Sequence, residues 1–250
     1  MLLLKSTEVN PDSSNSNGET SLLKAAKNGH EGIVKLLLEC KEVNPDSSDK
    51  YGLTPLLSAA WNGHEGIVKL LLERKEVNPD SSSKDGQTPL SRAAENGHEG
   101  IVKLLLERKE VNPGSCDNHG QTSLFMAARK GHEGIVKLLL ERKEVNLDSS
   151  DNNGQTPLSI ATKYGRKNIV KLFLEHKRAN PNPSNNDGQT PLLKAAANVS
   201  EDIPAISENS PDFQVASSPI TQQGREQSQK NFTLGKCCRL WCFCCSLCSR

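Results

Sequence analysis

The sequence predicts an all-α fold: a solenoid of stacked antiparallel helix pairs with projecting loops or hairpins, followed by a disordered C-terminal tail. Three observations carry that class. The words "GHEGIVKLLLE" start at Gly29, Gly63, Gly97 and Gly131, with a worn copy, "GRKNIVKLFLE", at Gly165, so the chain repeats with a period of 34 residues, the size of one supersecondary unit. Each period holds two short apolar patterns, both too short to be stable as lone helices, so neighbours must supply the packing. The composition is lean: of 250 residues, 34% are hydrophobic and 4% aromatic. That is little for one large core and suits small units filled by Leu, Ala and Val.

Taken in order, residues 1–18 read as the remnant of a truncated repeat. "MLLLKSTEVNPDSS" aligns with "KLLLERKEVNPDSS" from Lys69, which sets Leu2, Leu3 and Leu4 on Leu70, Leu71 and Leu72. The chain thus enters in the middle of a second helix without a polar capping unit, although arrays need one for solubility. The expectation is a fragment of a longer protein, in preference to a first unit that hides its apolar face on a partner.

Residues 19–199 read as the array, about five full repeats plus a partial terminal one. In each copy a Thr such as Thr54 N-caps the first helix, and Pro55 takes the first helical position, where its missing N–H costs nothing. Leu56, Ala59 and Ala60 then share one face, with small Ala permitting close approach of helices. Asn62-Gly63 stops that helix with a residue that tolerates positive φ. A second helix starts near Glu65 and carries Ile67, Val68, Leu70, Leu71 and Leu72 as a broad apolar stripe. "ERKEVNPDSSSKDG" then reads as an extended loop or hairpin. The sixth copy, "TPLLKAAANVSEDIPAISEN", fails: Val199 and Ser200 replace the Gly-His pair, and Pro204 falls inside the would-be second helix, at a cost of about 3 kcal/mol. The array should therefore end in one helix near Ala197. Residues 200–235 are polar and read as a flexible linker, and residues 236–250 form a Cys-rich basic and aromatic tail.

The formal net charge is +1, so nothing global points to nucleic acid or to an acidic partner. The first residues lack the pattern of a signal peptide, and no apolar run approaches the roughly 20 residues of a membrane span. Of eight Cys, only Cys40 and Cys116 lie among the repeats, which implies a reducing, intracellular and cytoplasmic setting. No nucleophile stands beside a base, and no loop is built for phosphate. His30, His64, His98 and His132 occur once per unit and cannot converge on a metal, so they read as structural hydrogen-bonding groups. Glu39, Glu73, Glu107, Glu141 and Glu175 read as a solvated row beside Lys and Arg. No catalytic residue, cofactor, metal or small-molecule substrate is expected.

The motif "G-x-T-P-L-x-x-A-A-x-x-G-H-x-x-I-V-K-L-L-L-E-x-x-x-x-V-N", as it stands at Gly52 to Asn78 and at Gly86 to Asn112, resembles the ankyrin repeat. The resemblance covers roughly residues 1–197. It implies a curved, monomeric stack of helix pairs with projecting fingers, whose concave face and finger tips bind another protein. The "EVNPDSS" loops are also similar to ankyrin arrays of filamentous fungi that accompany signalling domains. Three features depart from the family pattern. Leu57, Ser91, Ser159 and Leu193 replace the usual His after "TPL", so a Thr–His hydrogen bond is lost. The Gly after the second helix is missing, and the Asn-to-Gly stretch is longer. Longer, looser fingers on an unchanged fold are expected.

The copies differ most in two places. After the Ala pair stand Lys27, Trp61, Glu95, Arg129-Lys130 and Lys163-Tyr164, with Arg92 one turn earlier in its copy. Before the finger Gly stand Tyr51, Lys84-Asp85 and Asn118-His119. If the family geometry holds, these line the concave face and the finger tips, where aromatic and Arg side chains make binding hot spots. The bland alternative is that unconstrained positions drift. Phe125 and Met126 read as core instead.

The tail "GKCCRLWCFCCSLCSR" supports three readings. One is S-acylation of Cys237, Cys238, Cys242, Cys244, Cys245 and Cys248, with Trp241 and Phe243 entering a membrane interface and Lys236 and Arg239 meeting anionic lipid. The others are a thiolate cluster for Zn or Cu(I) and sequence never selected as protein. The functional expectation is a non-enzymatic adaptor or scaffold, with membrane tethering through the tail as an added option. Its rivals are the detached sensor array of a larger signalling protein and, further off, an ankyrin-bearing enzyme or a thiolate metal protein.

Overall fold

A computed structural model describes residues 10–180. It contains five helix pairs: α1 (Ser21–Lys27) with α2 (Glu31–Leu38), α3 (Pro55–Asn62) with α4 (Glu65–Leu72), α5 (Pro89–Asn96) with α6 (Glu99–Leu106), α7 (Ser123–Lys130) with α8 (Glu133–Leu140), and α9 (Pro157–Lys163) with α10 (Lys167–Glu175). Among the described residues the β-type pairings are two isolated antiparallel bridges, Ser14 with Thr20 and Cys116 with Thr122. The remnant helix over residues 1–9, the terminal helix near Ala197, the linker and the Cys-rich tail lie outside the described residues.

Each first helix starts where the Thr predicts. Thr20, Thr54, Thr88, Thr122 and Thr156 accept the N3 backbone N–H of their own helix through Oγ1, at 3.2 to 3.3 Å. The missing family His is compensated in two units. Ser91 Oγ accepts from Thr88 N–H at 2.9 Å, and Ser159 Oγ from Thr156 N–H at 2.8 Å, closing a capping box with Ser in the role usually given to Glu.

Gly63 ends α3 with φ of 79°, and its missing side chain matters as much as its dihedral. A Cβ on Gly63 would stand 2.6 Å from Cε1 of His98, and one on Gly29 would stand 2.7 Å from Cε1 of His64. The His of one repeat therefore lies over the Gly of the repeat before. Its ring also joins the two units: Nε2 of His64, His98 and His132 lies 3.1, 3.1 and 2.9 Å from the carbonyl oxygens of Lys27, Trp61 and Glu95. Arg166 takes this place in the worn copy, donating from Nε to the Arg129 carbonyl at 3.2 Å. These contacts make His64, His98 and His132 structural, as their spacing implies.

The core runs continuously through the stack, with Leu56, Ala59, Ala60, Ile67, Val68 and Leu71 buried together with most of their equivalents. The odd-numbered helices pack against one another more intimately than the even-numbered ones do. The odd-numbered helices α1, α3, α5, α7 and α9 thus form the more closely packed layer, the inner one. Phe125 and Met126 are core residues, as their sequence suggests. Burial depends on having a neighbour: Ile67 is 1% exposed, whereas its equivalent Ile33, with no described helix before it, is 50% exposed.

The fingers are long, but the expectation of looseness is corrected. Each finger tip donates a backbone N–H to the carbonyl of the tip before it: Lys50 to Asn17 at 2.9 Å, Lys84 to Tyr51 at 2.9 Å, Asn118 to Asp85 at 3.0 Å and Asn152 to His119 at 2.9 Å. Within a finger, one oxygen of Asp49, Asp117 or Asp151 accepts the N–H groups two and four residues on, at 2.8 to 3.0 Å. Each "NP" turn is held likewise by its Asn, as when Asn78 Oδ1 accepts from Asp80 N–H at 3.0 Å. These short side chains close turns that a plain loop would leave to water.

Candidate functional site

Lys27, Trp61, Glu95, Arg129 and Lys163 occupy one equivalent position, the first after the two small residues that seat each inner helix on its neighbours. Burial of Ala59-Ala60 and its equivalents turns the next residue away from the core, so the five positions form a column along the inner helices. Three of them are brought together with residues from the same helices. The guanidinium of Arg92 stacks over the Trp61 ring, 4.1 Å from its centroid, and Nη1 reaches Glu95 Oε2 at 3.2 Å. Glu95 Oε1 receives Arg129 Nη2 at 3.0 Å, with Lys130 Nζ at 3.7 Å. The Arg92 and Glu95 side chains are only 18% and 15% exposed, so this pairing is screened less than a surface ion pair. Arg129 is gripped again from its own repeat by Gln121 Oε1 and Met126 Sδ, both at 3.1 Å.

The two ends of the column stand apart from this strip. Lys27 pairs with Glu19 at 3.4 Å. The Asn15 amide donating to Glu19, joined by Lys27, holds the Glu19 carboxyl below its ordinary range. Lys163 Nζ lies 5.9 Å from the centroid of Tyr164, which is exposed.

The finger-tip candidates form a second strip. Tyr51 is exposed, with Lys50 Nζ 5.1 Å from its ring centroid. Lys84, Asp85, Asn118 and His119 follow it in adjacent tips, all exposed, and joined through the backbone pairs given above. Asn118 is partly committed to the scaffold, because its Nδ2 donates to the Lys84 carbonyl at 2.9 Å. A Cβ on Gly52 would come within 3.1 Å of the Lys84 nitrogen, so close approach of the tips requires glycine. Sequence patterns alone do not reveal Gln121 or Met126 as partners of the candidates, whereas Lys50 stands beside Tyr51 in the sequence itself. Nor do they mark Glu95 as the shared anion of three cations, although the 34-residue spacing of Glu95 and Arg129 was an available signal.

Cys40 and Cys116 are free thiols, and the Glu42 carboxylate beside Cys40 pushes that thiol up. Among the described residues no group of His, Cys, Asp and Glu is arranged to hold a metal. None of the described helices is long and apolar enough to cross a membrane.

A family model of ankyrin repeats, three copies, matches residues 1–82, 75–151 and 142–212. The chain belongs to the ankyrin-repeat family. No curated protein matches it. Ankyrin repeats are generally protein–protein interaction modules, and here many of the positions common to the copies hold the ankyrin stack together, while others, such as Lys69, Glu73 and their equivalents, are exposed. The Thr caps, the Gly-His contacts and the apolar stripes are spent within the array. Some variable positions face outward, as at Trp61, Tyr51 and Lys84, whereas others, such as Leu57, Phe125, Met126 and Ile160, are buried in the core.

Proposed function

We propose that this ankyrin array is a non-enzymatic adaptor that binds a protein partner across its concave side and finger tips. The observation that carries the proposal is that residues differing between copies form two strips on the repeated frame, Trp61, Glu95, Arg129 and Lys163 on the inner helices and Tyr51, Lys84, Asp85 and His119 at the finger tips. Trp61, Arg92, Arg129 and Tyr164 are the residue types that dominate binding energy at interfaces. Recognition would need little rearrangement, because Arg92, Glu95 and Arg129 are already held in place.

A photo-crosslinking amino acid at position 61 or 164 in the full chain, compared with one at Lys35 or Lys69 on the outer helices, tests the reading. A common partner captured from the inner positions and not from the outer ones supports it. Equal capture from both sides overturns it.

The C-terminal tail lies outside the described residues, and its tethering is proposed from sequence alone. Six Cys interleaved with aromatic and basic residues favour S-acylation and a peripheral position at the cytoplasmic face of a membrane. Intact mass of the full-length protein, before and after hydroxylamine, decides it: loss of acyl-sized steps supports the tether, and an unchanged mass near 27.2 kDa overturns it.

A further inference from the structure

The charge of the chain is nearly balanced, yet the helices divide it unevenly. The inner helices α1, α3, α5, α7 and α9 carry six basic side chains (Lys24, Lys27, Arg92, Arg129, Lys130 and Lys163) against one acidic one, Glu95, a net charge of +5. The outer helices α2, α4, α6 and α8 each carry one Glu and one Lys and are neutral, and α10, with Lys167, Lys171 and Glu175, carries +1. Most of the helical surplus therefore lies on the side where Trp61 and Tyr164 are also exposed. Within it, Glu95 already serves three cations, and Arg92 keeps a buried Nε with no partner. Lys130 and Lys163 remain exposed at its C-terminal half.

We infer that the partner presents an acidic, extended segment along the inner helices from α3 to α9, its carboxylates meeting Arg129, Lys130 and Lys163 and an apolar side chain meeting Trp61. The inference rests on the adaptor reading above and names the chemistry of its partner. The spacing follows from two general dimensions. Packed helices lie about 8–10 Å apart, and an extended chain advances about 3.3 Å per residue. Successive inner helices are thus matched by an acidic residue at about every third position, over a segment of about ten residues. Glu95 acts against this partner. It neutralises part of the field that would attract the segment, and it limits how strongly the site binds anions of any kind.

The test measures binding of the full chain to a fluorescein-labelled Glu-Ala-Ala repeat peptide, by anisotropy at low and high salt. Controls are the matching Lys-Ala-Ala peptide, a single-stranded DNA oligonucleotide of equal charge, and phosphatidylserine vesicles. The acidic peptide is expected to saturate. Combined K130E and K163E should weaken it about tenfold, and E95Q should strengthen it about threefold, with the helical circular dichroism of each variant unchanged.

Absence of binding, or affinity indifferent to both variants, overturns the acidic partner. It leaves the adaptor reading to the crosslinking experiment, which does not depend on the partner's charge. Equal competition by the oligonucleotide or the vesicles also overturns it, since the surface would then be a general polyanion site.

Discussion

Three glycines of the outer helices and their junctions look alike in sequence and behave differently as residues. Gly32 in α2 has open space where a Cβ would stand, with no atom within 4 Å, so Gly32→Ala should raise stability by about 0.5–1 kcal/mol through helix propensity alone. Gly66 in α4 faces the carboxylate end of Glu31; Ala there gains the same propensity only if that flexible side chain swings aside. Gly63 has a left-handed φ of 79° and the His98 ring against it, so Gly63→Ala should cost at least about 1–2 kcal/mol. Urea melts of the three variants should fall in that order.

Charge at single residues has a similar logic. Burial pushes the carboxyls of Asp46 and Asp80 above their ordinary range, opposed by backbone N–H bonds from Asn78 and Asn112. A raised folded-state value means that the folded protein holds the proton longer. The associated stability is complete below the ordinary Asp value of 3.8 and is lost as pH rises through the raised one. Asp80→Asn should therefore raise the melting temperature near neutral pH, and the gain should vanish in acid below that value. Thermal melts against pH check both arms.

At the scale of elements, the Thr caps are the most local determinants. Thr54→Ala removes the acceptor for the Leu57 N–H and should cost about 1 kcal/mol in a denaturant titration. The helix pairs were legible in the sequence for that reason. Thr54, Pro55, the Ala pair and Gly63 act within their own unit, and the period repeats the message. The finger rail was not legible. Its bonds join backbone to backbone across adjacent copies, and a backbone group has no letter. The Pro, Ser, Asp and Gly of the finger stretches pointed only to a loop or hairpin. Variation alone did not separate surface from core, since Tyr51, Lys84 and His119 vary at the surface while Leu57, Phe125, Met126 and Ile160 vary inside. The chain of contacts from Trp61 through Arg92 and Glu95 to Arg129 was hidden, since it depends on rotamers and on the distance between stacked helices.

At the scale of the whole molecule, stability should be close to a sum over units and their interfaces. Excising residues 63–96, one period, joins Asn62 to Gly97 in unchanged register. The shortened array should still unfold cooperatively, with a lower midpoint and a smaller dependence on denaturant, because less surface is exposed. An unchanged slope would show that the removed unit was not packed as its neighbours are.

The Gly-to-His contact between successive copies has a further consequence for how such a chain changes over generations. Gly29 receives His64, Gly63 receives His98 and Gly97 receives His132, while Gly131 meets Arg166 instead, so the copies up to His132 share one socket and one plug. Any of these copies can then follow another at that contact. Unequal recombination between them would lengthen or shorten the array by whole periods without creating a mismatched Gly–His contact. The outward residues would be reshuffled as intact sets, so new binding surfaces could arise from old units in a single genetic step.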